Sequence, residues 1–140
     1  MDAQTRVEHT LGLAALTQAM VHELSEHYDE GEALSRYPYE MLDENKWLAA
    51  RHGLEGELVD LPERDRVPTP QLARRLIDRM RERAQELGAE AELDCLEDLL
   101  DNGTGARRQI VVYEANHDLG EVTREIVEAT VPDAPGRSSD

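Results

Sequence analysis

Residues 43–54, Asp-Glu-Asn-Lys-Trp-Leu-Ala-Ala-Arg-His-Gly-Leu, hold the only Trp and the only Lys of the chain. On a helix, 100° per residue brings Glu44, Trp47 and Arg51 within about 60° of one another. One face then offers a carboxylate, a flat ring and a guanidinium. Arg grips a carboxylate through two parallel N–H donors, so this face suits a substrate carrying both ammonium and carboxylate groups. The same residues also describe a salt-bridged helix with a packed Trp.

Other groups invite chemistry less strongly. In His22-Glu23-Leu24-Ser25-Glu26-His27 the two His are five apart, whereas a zinc-protease helix needs them four apart on one face. Glu23 with His27, or His22 with Glu26, has the spacing of a metal pair, but also that of ordinary polar positions near a helix end. Asn102-Gly-Thr-Gly-Ala-Arg-Arg-Gln lacks the spacing of a phosphate-binding loop and reads as a helix stop and restart. The N-terminus of the new helix could receive an anion. Cys95, beside Leu93, Leu96 and Leu99, reads as a buried, inert thiol. Arg74, Arg75, Arg79, Arg81 and Arg83 alternate with Asp78, Glu82 and Glu86 at i,i+3 and i,i+4, the pattern of a salt-bridged, solvated face. No metal site and no nucleophile–base set follows from spacing.

These residues need elements to hold them. Thr5-Arg6-Val7-Glu8 has the form of a capping box, and a helix follows to about His27. Between Leu11 and Val21 that helix is apolar or small on nearly every side, which predicts burial on several sides against a partner the rest of the chain does not supply. Residues 29–38 read as a loop. Pro38 opens a helix from about Tyr39 to His52, and Gly53 closes it. Residues 57–67 predict two short strands around a Pro-containing turn. Thr69 then caps a helix with Pro70 at its first position, whose stripe is Leu72, Leu76, Met80, Ala84 and Leu87. A helix from Ala89 to about Asp101 carries Leu93, Leu96 and Leu100 on one face. Two more helices, about 106–115 and 119–130, follow, with Asp118 as N-cap of the last. The tail from Pro132 to Asp140 reads as disordered. The fold class is mostly α with one small β-hairpin.

Taken in order, E-N-K-W-L-A-A-R-H-G-L, E-L-V-D, V-P, a long helix, L-E-D-L-L-D-N-G-T-G-A-R-R-Q and a final short helix resemble one family over residues 1–131. The set resembles the C-terminal part of the carboxylate–amine ligases related to glutamate–cysteine ligase. The opening D-A-Q-T-R-V-E-H-T-L-G-L-A-A-L-T-Q-A resembles the buried helix after a central strand in that family. The resemblance implies an α+β ligase that uses ATP and Mg²⁺ to activate the γ-carboxylate of glutamate as an acyl phosphate, which the amine of cysteine or another amine attacks. It also implies an antiparallel catalytic sheet, lying mainly upstream, that carries most carboxylates for Mg–ATP. On that match Arg51 and Asn45 contact substrate or nucleotide, with Glu44, Lys46 and Trp47 beside them. The resemblance places Met1 at an internal strand end, so that the chain reads as a fragment or a stand-alone remnant, silent by itself. The alternative is a small acidic helical module that dimerises through its first helix.

Composition narrows the partners. A chain of 140 residues allows one domain, and 31 acidic against 15 basic residues give a net charge of −16. That charge argues against binding nucleic acid through phosphates and against attraction to anionic membranes. No apolar run approaches the ~20 residues of a membrane span, and the first ten residues lack the form of a signal peptide. The lone Cys95 excludes an internal disulfide and fits the cytoplasm. A high acid load with a single Lys predicts an origin in a haloarchaeon or similar halophile, since screening relieves self-repulsion. A GC-rich genome would also favour Arg over Lys.

Overall fold

Glycine and proline punctuation sets most of the element boundaries. The computed structural model describes residues 4–32 and 35–131. Among these, six α-helices and one two-stranded ribbon run in the order α1 (Val7–Asp29), α2 (Tyr39–His52), a 3-10 turn (Gly53–Glu55), β1 (Glu57–Val59), β2 (Arg66–Pro68), α3 (Thr69–Glu86), α4 (Glu90–Asn102), α5 (Gly105–Asn116) and α6 (Leu119–Thr130). The mostly helical fold with one small hairpin is therefore as expected. The strands are antiparallel, with Glu57 opposite Pro68 and Val59 opposite Arg66. Gly53 ends α2 at φ 55, a left-handed conformation that a Cβ disfavours. The expected disordered tail and the strand-end position of Met1 lie outside the described residues.

Two cap assignments shift. Arg6, not Thr5, precedes α1, and no side chain caps it. Thr5 instead faces α5, its hydroxyl 3.5 Å from Arg108 Nη2. Pro68 stands at the N-cap of α3, where no side chain accepts. The ribbon has claimed Thr69, whose N–H and hydroxyl both donate to the Gly56 carbonyl at 2.9 Å. At the other end of the chain, Asp118 caps α6 by accepting from Gly120 N–H at 2.7 Å.

The core lies where α1, α3 and α4 meet. Ala15, Ala19, Ile77, Met80, Ala84, Leu93 and Leu96 are buried together there. The stripe expected on α3 is right in direction but misses its deepest member: Ile77 is buried, while Leu72 and Leu87 at the helix ends are only half-buried. Within the described residues α1 buries its His9, Gly12, Ala15 and Ala19 face, Leu16 and Met20 pack against the same core half-buried, and Leu11, Leu13, Val21 and Leu24 stay exposed, so the chain itself does not supply the cover that its apolar character calls for.

Cys95 also differs from expectation. It is half-exposed rather than buried, because it stands at the edge of the α4 face that Leu93 and Leu96 present to the core. The Arg residues of α3 are salt-bridged, but mostly to other elements. Arg74 reaches Asp101 of α4 at 2.5 Å, Arg75 reaches Asp60 beside β1 at 3.1 Å, Arg79 reaches Glu23 of α1 at 3.4 Å and Arg81 reaches Asp94 of α4 at 2.5 Å. Only Arg83 takes the in-helix partner, Glu86 at 3.0 Å, and it also meets Glu26 of α1 at 2.8 Å. The long guanidinium stems span the gap between packed helices, so carboxylates on neighbouring elements compete with those one turn away.

Candidate functional site

The α2 corner brings the expected residues together unevenly. Leu48 faces inward from α2 and Val59 from β1, both buried. Around them on α2, Glu44, Lys46, Trp47 and Arg51 are exposed to water. Arg51 Cζ lies 5.4 Å from the centre of the Trp47 ring, a cation–π distance. The His52 ring meets Trp47 edge-on at 6.1 Å. Trp47 keeps 57% of its surface exposed, so its ring offers a flat apolar patch next to a guanidinium. Lys46 Nζ sits 5.7 Å from the ring of Tyr39, about two turns back along the helix.

Glu44 and Asn45 are otherwise engaged. The Glu44 carboxylate accepts from Arg66 Nη2 of β2 at 2.5 Å, so its charge is already answered. Arg66 is the partner that sequence reasoning missed, since 22 residues separate the pair. Asn45 donates from Nδ2 to the Val59 carbonyl at 2.8 Å and accepts from Val59 N–H at 2.7 Å. Its amide thus pairs with β1 as a neighbouring strand would. The structure brings Trp47 and Arg51 together facing water, and places Asn45 as the bolt that holds their helix to the ribbon.

A second polar cluster lies between the start of α1, α4 and the end of α6. Asp98 Oδ2 accepts from His9 Nε2 at 2.9 Å and from Arg6 Nη1 at 3.2 Å, and Oδ1 accepts from Asn102 Nδ2 at 2.6 Å. An ionised carboxylate only accepts, so His9 Nε2 carries the proton. The hydrogen bonds from His9 and Asn102, with the charge of Arg6, hold the Asp98 carboxyl below its ordinary range against the opposing effect of burial. Arg6, His9 and Asp98 line a cavity of about 340 Å³ together with Cys95 and Glu128. Burial pushes the Cys95 thiol up, and Glu8, Glu92, Asp94 and Asp98 push it further. A thiol so shifted is a poor nucleophile. No sequence signal marks this cluster, because His9 and Asp98 stand 89 residues apart.

The remaining motifs resolve into structure. His22 pairs with Glu26 at 3.8 Å, and Glu26 is shared with Arg83. Thr104 caps α5 by accepting from Arg107 N–H at 3.3 Å, so the Asn-Gly-Thr-Gly stretch stops one helix and starts the next. Among the described residues, no three His, Cys, Asp or Glu side chains are grouped to hold a metal, and no helix is long and apolar enough to cross a membrane.

Known proteins show the same ordered segments. The family model described as glutamate–cysteine ligase family 2 matches residues 1–130. A protein of Rubrobacter xylanophilus named "Putative glutamate--cysteine ligase 2-1" is 38% identical over 139 residues, covering 99% of this chain and 36% of that protein. Proteins of Sorangium cellulosum and Solibacter usitatus, each named "Putative glutamate--cysteine ligase 2", are 35% and 32% identical, covering 91% and 92% of this chain and 34% of each relative. These relatives lend no support to the halophile origin expected from composition. The chain spans about a third of the length of the curated relatives it matches. It belongs to glutamate–cysteine ligase family 2.

Proposed function

We propose that the longer protein carrying this chain is an ATP-dependent carboxylate–amine ligase of the cytoplasm. ATP phosphorylates the γ-carboxylate of glutamate and leaves as ADP. The amine of cysteine, or another amine, then displaces phosphate from the acyl phosphate and leaves a γ-glutamyl amide. This chain serves as the C-terminal, helical part. Family membership over residues 1–130 supports the reaction class.

The observation that carries this segment's role is Arg51 standing over the exposed Trp47 ring. Unlike Glu44, which is tied to Arg66, Arg51 has no ion-pair partner among the described residues. Its two-pronged donor set is therefore available to a carboxylate or phosphate oxygen. Trp47 gives the bound group an apolar wall, Lys46 adds positive charge nearby, and Glu44 and Asn45 fix the helix against the ribbon. The described residues do not fit Mg²⁺, since they hold no three grouped ligands. The carboxylates for Mg–ATP are assigned to polypeptide outside this chain, and the 140 residues alone are expected to make no γ-glutamylcysteine.

The test is Arg51→Ala in the longer protein. Loss of the two-pronged grip should raise KM for glutamate or ATP, or lower kcat, by about tenfold or more. Because the side chain is exposed, stability should move by no more than about 0.5 kcal/mol. Unchanged kinetics with a large fall in Tm would reduce Arg51 to a structural partner of Trp47.

A further inference from the structure

The turn end of the ribbon is a junction between α2 and α3. Val59 and Arg66 stand opposite each other there. Consecutive residues of α2 hold this one pair. Asn45 binds the Val59 backbone at 2.7 and 2.8 Å, and Glu44 accepts from Arg66 at 2.5 Å. The next residue, Asp60, is held from α3. Its carboxylate, 14% exposed, accepts from Arg75 Nη1 at 3.1 Å. The Asp60 backbone is fixed as well: its N–H donates to the Asp65 carbonyl at 2.8 Å, and its carbonyl accepts from Arg64 N–H at 2.6 Å. Helix α2 has little other support. It packs mainly against β1 and the 3-10 turn, its one buried residue is Leu48, and it contributes nothing to the core of α1, α3 and α4.

We infer that Arg66, Asp60 and Arg75 are positioning residues for the α2 corner: they set the direction in which Arg51 and Trp47 meet the substrate, without touching it. This inference rests on the substrate-binding role proposed for Arg51. Orientation passes from α3 through Arg75 and Asp60 to the Val59–Arg66 pair, and from that pair through Asn45 and Glu44 to α2. Asn45 and Arg51 lie about 9 Å apart along the helix, so a tilt of about 6° at the junction moves the Arg51 position by about 1 Å. A misplacement of that size can cost a reaction on the order of 100-fold. Exposed ion pairs add little to stability, but a donor aimed at a carboxylate fixes an angle that a small apolar contact such as Leu48 with Val59 leaves free.

The experiment places Arg75→Ala and Arg66→Ala singly in the longer protein, beside Arg75→Lys, Arg66→Lys and Arg51→Ala. The two Arg side chains are 54% and 51% exposed, so their removal opens no cavity. Each tie is a single contact, which a lysine can remake. Steady-state kinetics and hydrogen exchange read by mass spectrometry are the two readouts. Each Ala variant should lower kcat/KM by about fivefold or more and quicken exchange in residues 39–52 while residues 90–102 stay protected. The Lys variants should recover most of both. In the Arg51→Ala background neither Ala change should cost more than about twofold further, because the group it positions is gone. Unchanged kinetics in both Ala variants, or losses that add fully to that of Arg51→Ala, would overturn the inference and leave these residues as ordinary surface ion pairs. A kinetically silent Arg51→Ala would overturn the proposed role of Arg51 itself and the inference with it, so that one variant tells the two failures apart.

Discussion

Where α1, α3 and α4 meet, Ala15, Ala19, Ile77, Met80, Ala84, Leu93 and Leu96 touch without a polar atom among their side chains. Where α2 meets β1, the buried apolar residues are Leu48 and Val59, and the Asn45 amide supplies the rest with two short bonds to Val59. The first contact is held by shape and volume. The second is held by direction, by groups that either meet at 2.7–2.8 Å or do not meet. The difference bears on what each region can do. A contact held by volume resists small displacements in every direction. A contact held by two aimed bonds fixes the orientation of one helix, and α2 is the helix that carries Trp47 and Arg51.

Changes on the two sides should therefore fail differently. Leu93→Ala should have the largest effect, since Leu93 is fully buried and such truncations cost about 2–5 kcal/mol. Its signature is a lower Tm for the whole chain, seen equally by circular dichroism and by Trp47 fluorescence. If fluorescence changed well before circular dichroism, the core and the corner would not unfold together.

Asn45→Ala comes next. It leaves the Val59 N–H and carbonyl without partners, at a cost of about 1–3 kcal/mol. Hydrogen exchange should quicken in residues 57–68 and in α2 while α4 amides stay protected. Uniform quickening across all helices would place Asn45 in the global fold rather than in the corner alone.

Asp98→Asn should have the smallest effect, and it probes the polar cluster that joins α1 and α4 at the edge of the core. The Asp98 carboxyl is held below its ordinary value of 3.8. The folded state therefore binds that proton less tightly than the unfolded state does. The carboxylate's contribution is complete above about pH 4 and is lost as pH falls through the lowered value. The stability gap between the parent and Asp98→Asn should be steady from pH 7 to about pH 5 and should close on further acidification. A gap that widens in acid would mean that His9 and Asn102 do not stabilise the charged form.

The legible parts of this fold were those with local signatures. Pro38, Gly53, Gly88 and the Asn102–Gly105 stretch break the chain, and a 3.6-residue stripe marks α3 and α4, so element types and most ends could be read directly. Ile77 was passed over because Leu76 beside it also fitted the stripe, and a one-residue choice of this kind depends on the neighbour across the contact. The apolar character of α1 was visible, but not which side meets α3 and α4. That depends on Gly12 allowing the α4 backbone to approach, which no pattern within α1 reveals. In the α2 corner, the Glu44, Trp47 and Arg51 face was legible from helical geometry, whereas the Asn45 bond to Val59 and the Glu44 pairing with Arg66 were not. Those pairings close over 14 and 22 residues and exist only once the ribbon has folded back.

The Asn45 bond has a further consequence for self-recognition. A two-stranded ribbon has two outer edges, and an unpaired strand edge invites another extended chain to add to it. The inward groups of the ribbon are paired, as Asp60 N–H donates to the Asp65 carbonyl and Thr69 N–H to the Gly56 carbonyl. Val59 therefore points its N–H and carbonyl outward, where a stray strand would dock. The side-chain amide of Asn45 occupies both groups, so that a single residue of a helix blocks strand addition at Val59. The carboxamide that aims α2 also closes the β1 edge of the ribbon to an added strand at Val59.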